Sequence, residues 1–223
     1  MPEHPGGRGP AAATIAFLSD IHGNLEALDA VLEELSRRDV STVFVAGDLL
    51  LGGADPVGVY QRLQQVGARC TRGLSDSALV RIEPKSLVPA NDADRARAEA
   101  YAATRASLGD LILKYLERLP EKLRLPLVDG REVLMVHGSP RDPTLEISHD
   151  LDDEELRALV DDDPADFIVC GASHVPFQRE VTDGQTVINV GSVGEAPGAR
   201  VAHYTLLTPR LDGAVIEQSF VEY

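Results

Sequence analysis

The chain has 223 residues, 43% of them hydrophobic, which suits one α/β domain with a substantial core and excludes wholesale disorder. Asp and Glu outnumber Lys and Arg 36 to 21, giving a net charge of −15, and such a surface repels phosphate backbones and argues against general DNA or RNA binding. With no Trp and only 4% aromatic residues, the core has to come from Val, Leu, Ile and Ala.

The first thirteen residues, MPEHPGGRGPAAA, are rich in Pro, Gly and Ala, and no long apolar stretch follows. They read as a flexible tail that includes His4, not as a secretion signal. Thr14 to Leu18 (TIAFL) is a short apolar run ending at Ser19-Asp20, the pattern of a buried strand. Asn24 is placed to cap a helix from Leu25 to Arg38, where Leu25, Leu28, Val31, Leu32 and Leu35 recur at helical spacing. Thr42 to Ala46 (TVFVA) is the next strand and ends at Gly47-Asp48. Pro56 opens a helix to about Gln65, and Ala68 to Thr71 is a short strand ending at Arg72-Gly73. This β-α-β-α-β order predicts a sheet covered by helices.

Residues 91–118 are rich in helix formers and predict one or two helices with the break at Gly109, while Pro120 and Pro126 mark the exit. Tyr101, Leu108, Leu111, Ile112 and Tyr115 belong either to the chain's own core or to a subunit contact. Strands then dominate: Val133 to Val136, Phe167 to Cys170, Thr186 to Asn189, Ala202 to Leu207 and Ala214 to Phe220, with turns at Asp183-Gly184 and Asp212-Gly213. Leu156, Leu159 and Val160 suggest a short helix before Asp163-Pro164, and Asp161 to Asp163 read as its solvated end. Cys70 and Cys170 each follow an apolar run without CxxC spacing; they read as half-buried small residues in a reducing cytoplasm. No run approaches the roughly 18 apolar residues of a membrane span. The chain has no P-loop, no GxGxxG and no GxSxG elbow, so nucleotide-cradling and serine-hydrolase chemistry lack their usual signals.

Four apolar runs end in small polar groups: TIAFL-SDIHGN, TVFVA-GD, VLMV-HGSP and FIVC-GASH. Ligands of open α/β sheets bind beyond the carboxyl ends of the strands, so these groups can converge although they are distant in sequence. Asp20 and His22 sit across one turn, Asp48 adds a carboxylate, and His137 and His174 add imidazoles. A mixed carboxylate and imidazole set suits Mn, Fe, Zn, Co or Ni better than Ca or Mg. Each piece alone has a bland explanation, because Gly-Asp after a strand is commonly a turn. His149, in an acidic loop, and His203, in a late strand, read as solvated or structural.

The order SDIHGN, GD, RGxxD, HGSP, GxxH, followed by Asn189 to Gly194 (NVGSVG), resembles the calcineurin-like metallophosphoesterases, most closely the small bacterial subgroup with SDIHGN near the N-terminus. The resemblance runs from Thr14 onward. It implies a single domain folded as a four-layer α/β/β/α sandwich with a two-metal centre at one edge. It also implies that Asp20, His22, Asp48 and His174 hold the first metal, and that Asp48 bridges to a second metal bound by His137. Two metals roughly 3.5–4 Å apart clamp a phosphate and activate a hydroxide for in-line attack.

The chain departs from that pattern in three places. The family's GNHD is here Gly73-Leu74-Ser75-Asp76, so Leu74 replaces a ligand of the second metal and Ser75 replaces the histidine that assists the leaving group. The family's GHTH is here Gly171-Ala172-Ser173-His174, so Ala172 replaces another ligand of the second metal. The expected cofactor is therefore a divalent transition metal, Mn first, bound firmly at one position and weakly or not at all at the other. Arg72 is assigned to the anion and Asp76 to the orientation of Ser75.

Two functions follow. The chain is either a metal-dependent phosphoesterase of reduced activity acting on a small phosphorylated substrate, or a degenerate phosphatase scaffold that binds a metal or phosphate ligand without turnover. Neither nucleic acid nor membrane is an expected partner. The resemblance adds a homodimer as the expected assembly.

Overall fold

The structure, a computed structural model, describes residues 11–181, 184–198 and 200–223. Most of the expected tail, with His4, and the turn residue Asp183 lie outside the described residues. The first half of the chain alternates strands and helices: β1 (Thr14–Leu18), α1 (Leu25–Ser36), β2 (Val40–Val45), α2 (Pro56–Gln65), β3 (Arg69–Cys70), α3 (Leu74–Arg81), a 3₁₀ turn (Pro84–Ser86) and α4 (Asp92–Arg118). The second half is mostly strand: β4 (Lys122–Pro126), β5 (Glu132–Val136), α5 (Asp153–Val160), β6 (Phe167–Cys170), β7 (Phe177–Glu180), β8 (Thr186–Asn189), β9 (Val201–Arg210) and β10 (Gly213–Glu222).

These strands make two mixed sheets, ordered β10-β9-β1-β2-β3 and β4-β5-β6-β8-β7. β1, β2 and β3 run parallel in the first, and β5, β6 and β8 run parallel in the second. Alternation along the strands gives each sheet two buried faces. Ala16, Leu18, Val43 and Val45 face helices α1 to α4, while Ile15, Phe17, Phe44 and Ala46 face the other sheet. Val133, Met135, Phe167 and Val169 complete that middle core, and Leu134, Val136, Ile168 and Cys170 pack with Leu156 and Val160 of α5. Because every central strand is covered on both sides, it reads as a continuous apolar run. The result is the four-layer α/β/β/α sandwich.

Several expectations need correction. The presumed exit between Pro120 and Pro126 is a paired edge strand, β4, anchored by an ion pair from Lys122 to Asp163 at 2.6 Å. Asp163 is thus engaged and not merely a solvated helix end. Ala11, expected in the tail, bridges to Leu127, its N–H donating to the Pro126 carbonyl at 2.9 Å. Cys70 and Cys170 are fully buried, not half-buried. Helix α4 does break at Gly109, which has φ 63 and ψ 174. Tyr101, Leu108 and Ile112 lie in the chain's own core and Tyr115 packs against Tyr60, whereas Leu111 faces solvent. Among the described residues no helix is long and apolar enough to cross a membrane.

Candidate metal centre

The loops after β1, β2, β5, β6 and β8 meet at one edge of the sandwich and are laced together by backbone hydrogen bonds. Asp20 N–H donates to the Gly47 carbonyl (3.1 Å), His22 N–H to that of Asp48 (3.0 Å), Gly171 N–H to that of His137 (2.9 Å) and Gly194 N–H to that of Asp20 (2.9 Å). Two buried side chains reinforce the lacing: Ser192 Oγ donates to the Asp20 carbonyl at 2.8 Å, and Asn189 Nδ2 donates to the Gly171 carbonyl at 2.7 Å. Glycine is required where loops touch. A Cβ on Gly73 would stand 2.1 Å from Asp48 Oδ1, and one on Gly171 would stand 2.5 Å from Asp20 Oδ2.

This lacing brings together all five strand-end residues expected from the sequence. His174 Nε2 is 3.3 Å from Asp20 Oδ1, His22 Nε2 is 3.6 Å from that oxygen, and the two imidazole Nε2 atoms are 3.2 Å apart. His137 Nε2 is 3.4 Å from Asp48 Oδ1, and His22 Nε2 is 3.9 Å from Asp48 Oδ2. Two groups with ligand-type atoms in mutual reach result: Asp20, His22 and His174, and Asp20, Asp48 and His137. The carboxylate common to both groups is Asp20, where the family resemblance implies Asp48 as the bridge.

The tautomers of two imidazoles follow from their partners. His22 Nδ1 lies 2.8 Å from the Leu51 carbonyl and His137 Nδ1 lies 2.7 Å from the Ala46 carbonyl. A carbonyl only accepts, so each Nδ1 carries the hydrogen and each neutral ring turns its Nε2 lone pair inward. Asp20 Oδ2 accepts from Ala172 N–H at 3.0 Å, but buried Asp20 Oδ1 has no hydrogen-bond partner among the described residues. The His22 Nε2 lone pair and the bare Asp20 carboxylate oxygen, 3.6 Å apart, repel each other, and either a positive charge among the groups or a hydrogen on His174 Nε2, which is 3.2 and 3.3 Å from them, relieves that repulsion.

A proton can supply that charge. Burial alone would lower His22, but the Asp20 carboxylate, with Asp48 and Glu195 behind it, raises it to about 9. Burial likewise opposes protonation of His137, and Asp48 overrides it, again to about 9. Burial would raise Asp20, and His174 and His22 instead hold it well below the usual carboxylate range. A divalent cation meets the same demand with more charge. Backbone strain points the same way. Asp20, His22, Asp48, Ala172 and His174 have positive φ, between 50° and 66°, and non-glycine residues held there cluster at functional sites.

The remaining expected residues are placed differently. Asp76 does not orient Ser75; its buried carboxylate accepts from Gly73 N–H (2.9 Å) and Leu49 N–H (3.0 Å), closing the first turn of α3 onto the β2 loop. Burial first, and then the Asp48 charge, push Asp76 up to about 6. Ser75 N–H donates to Asp48 Oδ1 at 2.8 Å, whereas its buried Oγ has no partner among the described residues. Arg72 turns away from the site to the Glu117 carbonyl (2.9 Å) and Glu121 (2.8 Å). Ser173 Oγ is occupied by Asn189 at 2.9 Å. Glu195, which sequence reasoning missed, is 3.8 Å from His22 Nε2 at the rim; its only signal is an acid directly after the Asn189 to Gly194 loop.

Residues 14–211 match the family model of the calcineurin-like phosphoesterase superfamily domain. An uncharacterized protein of Methanocaldococcus jannaschii is 29% identical over 197 residues, 81% of this chain and 76% of that protein. A metallophosphoesterase from Sphaerobacter thermophilus superposes with a TM-score of 0.73 at 27% identity, covering 96% of this chain and 89% of that one. A hypothetical protein from Pyrococcus horikoshii superposes with a TM-score of 0.80 at 22% identity, covering 94% and 88%, a likeness of fold alone.

Proposed function

The chain belongs to the calcineurin-like phosphoesterase superfamily, and on that premise we propose that it hydrolyses esters of small phosphorylated molecules with one firmly held divalent transition-metal ion. Asp20, His22, Asp48 and His174 are its ligands, and His137 serves a weaker second position with Asp48. Mn is the first choice among Mn, Fe, Zn, Ni and Co. The observation that carries the reading is Asp20 Oδ1, buried without a donor and faced by imidazole Nε2 atoms at 3.3 and 3.6 Å. Such a set fits a cation of borderline softness.

A divalent cation there supplies Lewis-acid polarisation of a phosphoryl oxygen. The chain's own groups do the rest. The Leu51 and Ala46 carbonyls fix the His22 and His137 rings so that Nε2 points inward. Ser75 N–H holds Asp48 Oδ1, fixing the carboxylate shared by the two positions. Leu74 is 52% exposed and, like Ala172, offers no ligand atom, which supports the asymmetry between the positions.

Those same residues favour a second reading, a scaffold that binds metal and phosphate without turnover. Elemental analysis and hydrolysis of nitrophenyl phosphate mono- and diesters with Mn²⁺, Co²⁺ or Ni²⁺ decide between them. The expected result is one metal per chain and turnover that falls on the order of 10³-fold in Asp48→Asn, as loss of several kcal/mol of charge stabilisation predicts. One metal per chain with no turnover establishes the scaffold. Two tightly held metals overturn the asymmetric assignment, and none overturns both readings.

A further inference from the structure

A cavity of about 630 Å³ opens beside the candidate metal centre, between α3, the segment 82–89 and α4, and His22, Ser75 and Glu195 belong to its wall. We propose that this cavity receives the apolar, ring-sized organic group of a phosphate ester, which makes aryl phosphates the substrate class. The proposal rests on the phosphoesterase reading and adds what lies on the far side of the ester oxygen.

Three observations carry it. The first is the lining. Leu51, Ala78, Ile82, Leu87, Val88 and Pro89 supply aliphatic surface. The Tyr101 hydroxyl is spent on the Ala78 and Ile82 carbonyls at 2.6 and 2.9 Å, so the rest of that side chain is its apolar ring. Ile82 is 38% exposed and Val88 is 91% exposed, apolar wall surface that a ligand would cover. The volume falls in the roughly 300–1,000 Å³ range of small-molecule clefts.

The second is charge. The arginine of the wall, Arg97, is paired with Asp94 at 2.7 Å, and the wall also carries the Glu195 carboxylate, 3.8 Å from His22 Nε2. Among the lining residues no free basic side chain waits for a second phosphate, and the chain as a whole carries −15. A polyphosphate tail would enter against that field; a neutral ring would not.

The third is the leaving group. Ser75 lines the cavity and donates its N–H to Asp48 Oδ1 at 2.8 Å, so it stands between cavity and site, and a serine hydroxyl is a poor proton donor. In hydrolysis a water oxygen bonds to phosphorus and the phosphorus–oxygen bond to the organic group breaks with its electron pair. The water's proton passes to solvent. An aryl oxygen leaves with that electron pair as a weakly basic phenolate and needs no proton from the protein, whereas an alkyl oxygen would have to leave as a strongly basic alkoxide. Apolar walls and a missing acid therefore select the same class, an aryl ester.

Binding to the full-length Mn²⁺-loaded protein tests this without depending on turnover. Isothermal titration with phenylphosphonate, methylphosphonate and inorganic phosphate should show phenylphosphonate binding about tenfold or more tightly than methylphosphonate, as burial of a ring predicts. Ala98→Phe places a larger side chain in the α4 wall of the cavity, and it should erase that difference while leaving the phosphate affinity unchanged. Equal binding of the two phosphonates by the wild-type protein overturns the aryl pocket and leaves the phosphoesterase reading standing. A preference that survives in a folded Ala98→Phe, checked by circular dichroism, also overturns it. If no phosphonate or phosphate binds to the metal-loaded protein, both proposals fall.

Discussion

Asp20, His22, Asp48, Ala172 and His174 hold left-handed backbone without being glycine, and such residues cost about 1–3 kcal/mol each unless their surroundings enforce them. For Asp20, His22 and Asp48 the enforcing groups are backbone partners from other loops, so their directions are decided by neighbours distant in sequence. This is why the ligand types were legible from apolar runs ending in Asp and His, while their grouping around Asp20 was not. Glu195 was illegible for the same reason: its place beside His22 exists only after the loop following β8 folds onto the loop following β1. Ser75 lends itself to a test at this scale. Its Oγ has no partner among the described residues, and the residue belongs to the cavity wall. Ser75→His should raise kcat for alkyl phosphate esters by about 10- to 100-fold, within the range of a positioned general acid, and leave nitrophenyl esters nearly unchanged. Unaltered alkyl-ester rates at unchanged metal content would show that this position does not address the leaving group.

At the scale of elements, two glycines separate the demands of the site from those of the fold. Gly73 caps α3 against Asp48, and a Cβ there would also stand 2.3 Å from the Asp48 amide nitrogen. Gly73→Ala must push the two loops apart, so it should lower metal stoichiometry measured by elemental analysis even where the protein still folds. Gly109 sits in the kink of α4 with open space around it, and only its φ of 63° resists a side chain. Gly109→Ala should cost on the order of 1–3 kcal/mol in urea denaturation and leave metal content unchanged. Equal effects of both substitutions on metal would mean that α4 geometry is coupled to the site. Three elements escaped the sequence reading, and each has a local cause. The alternation in β4, KLRLP, lies between Pro120 and Pro126, which read as loop punctuation. The edge strand β7, FQRE, has four residues and a half-exposed pattern. Helix α3 begins inside the Gly73 to Asp76 motif, whose capping by the Asp76 carboxylate turns an apparent turn into a helix N-terminus.

Across the whole molecule, the three cores decide how the chain behaves as a unit. Cys70 belongs to the core under helices α1 to α4, Cys170 to the core under α5, and the inter-sheet core of Phe17, Phe44, Met135 and Phe167 joins them. Burial pushes the Cys70 thiol up to about 12, against a smaller opposing effect of the Tyr115 hydroxyl, and burial likewise raises Cys170. A raised thiol pKa means that almost no thiolate is present at pH 8, and thiolate is the reactive form. The folded protein should therefore release no thionitrobenzoate from Ellman's reagent at pH 8, while the denatured chain should release two equivalents, one per cysteine. Titration with urea carries the test further. If the shared middle core makes one cooperative unit, both thiols become reactive at the same midpoint, and Cys70→Ala and Cys170→Ala single variants report coincident transitions. Two separated midpoints would mean that each sheet with its own helices unfolds independently, and that the metal-site loops, which draw on both sheets, come apart before either half is lost.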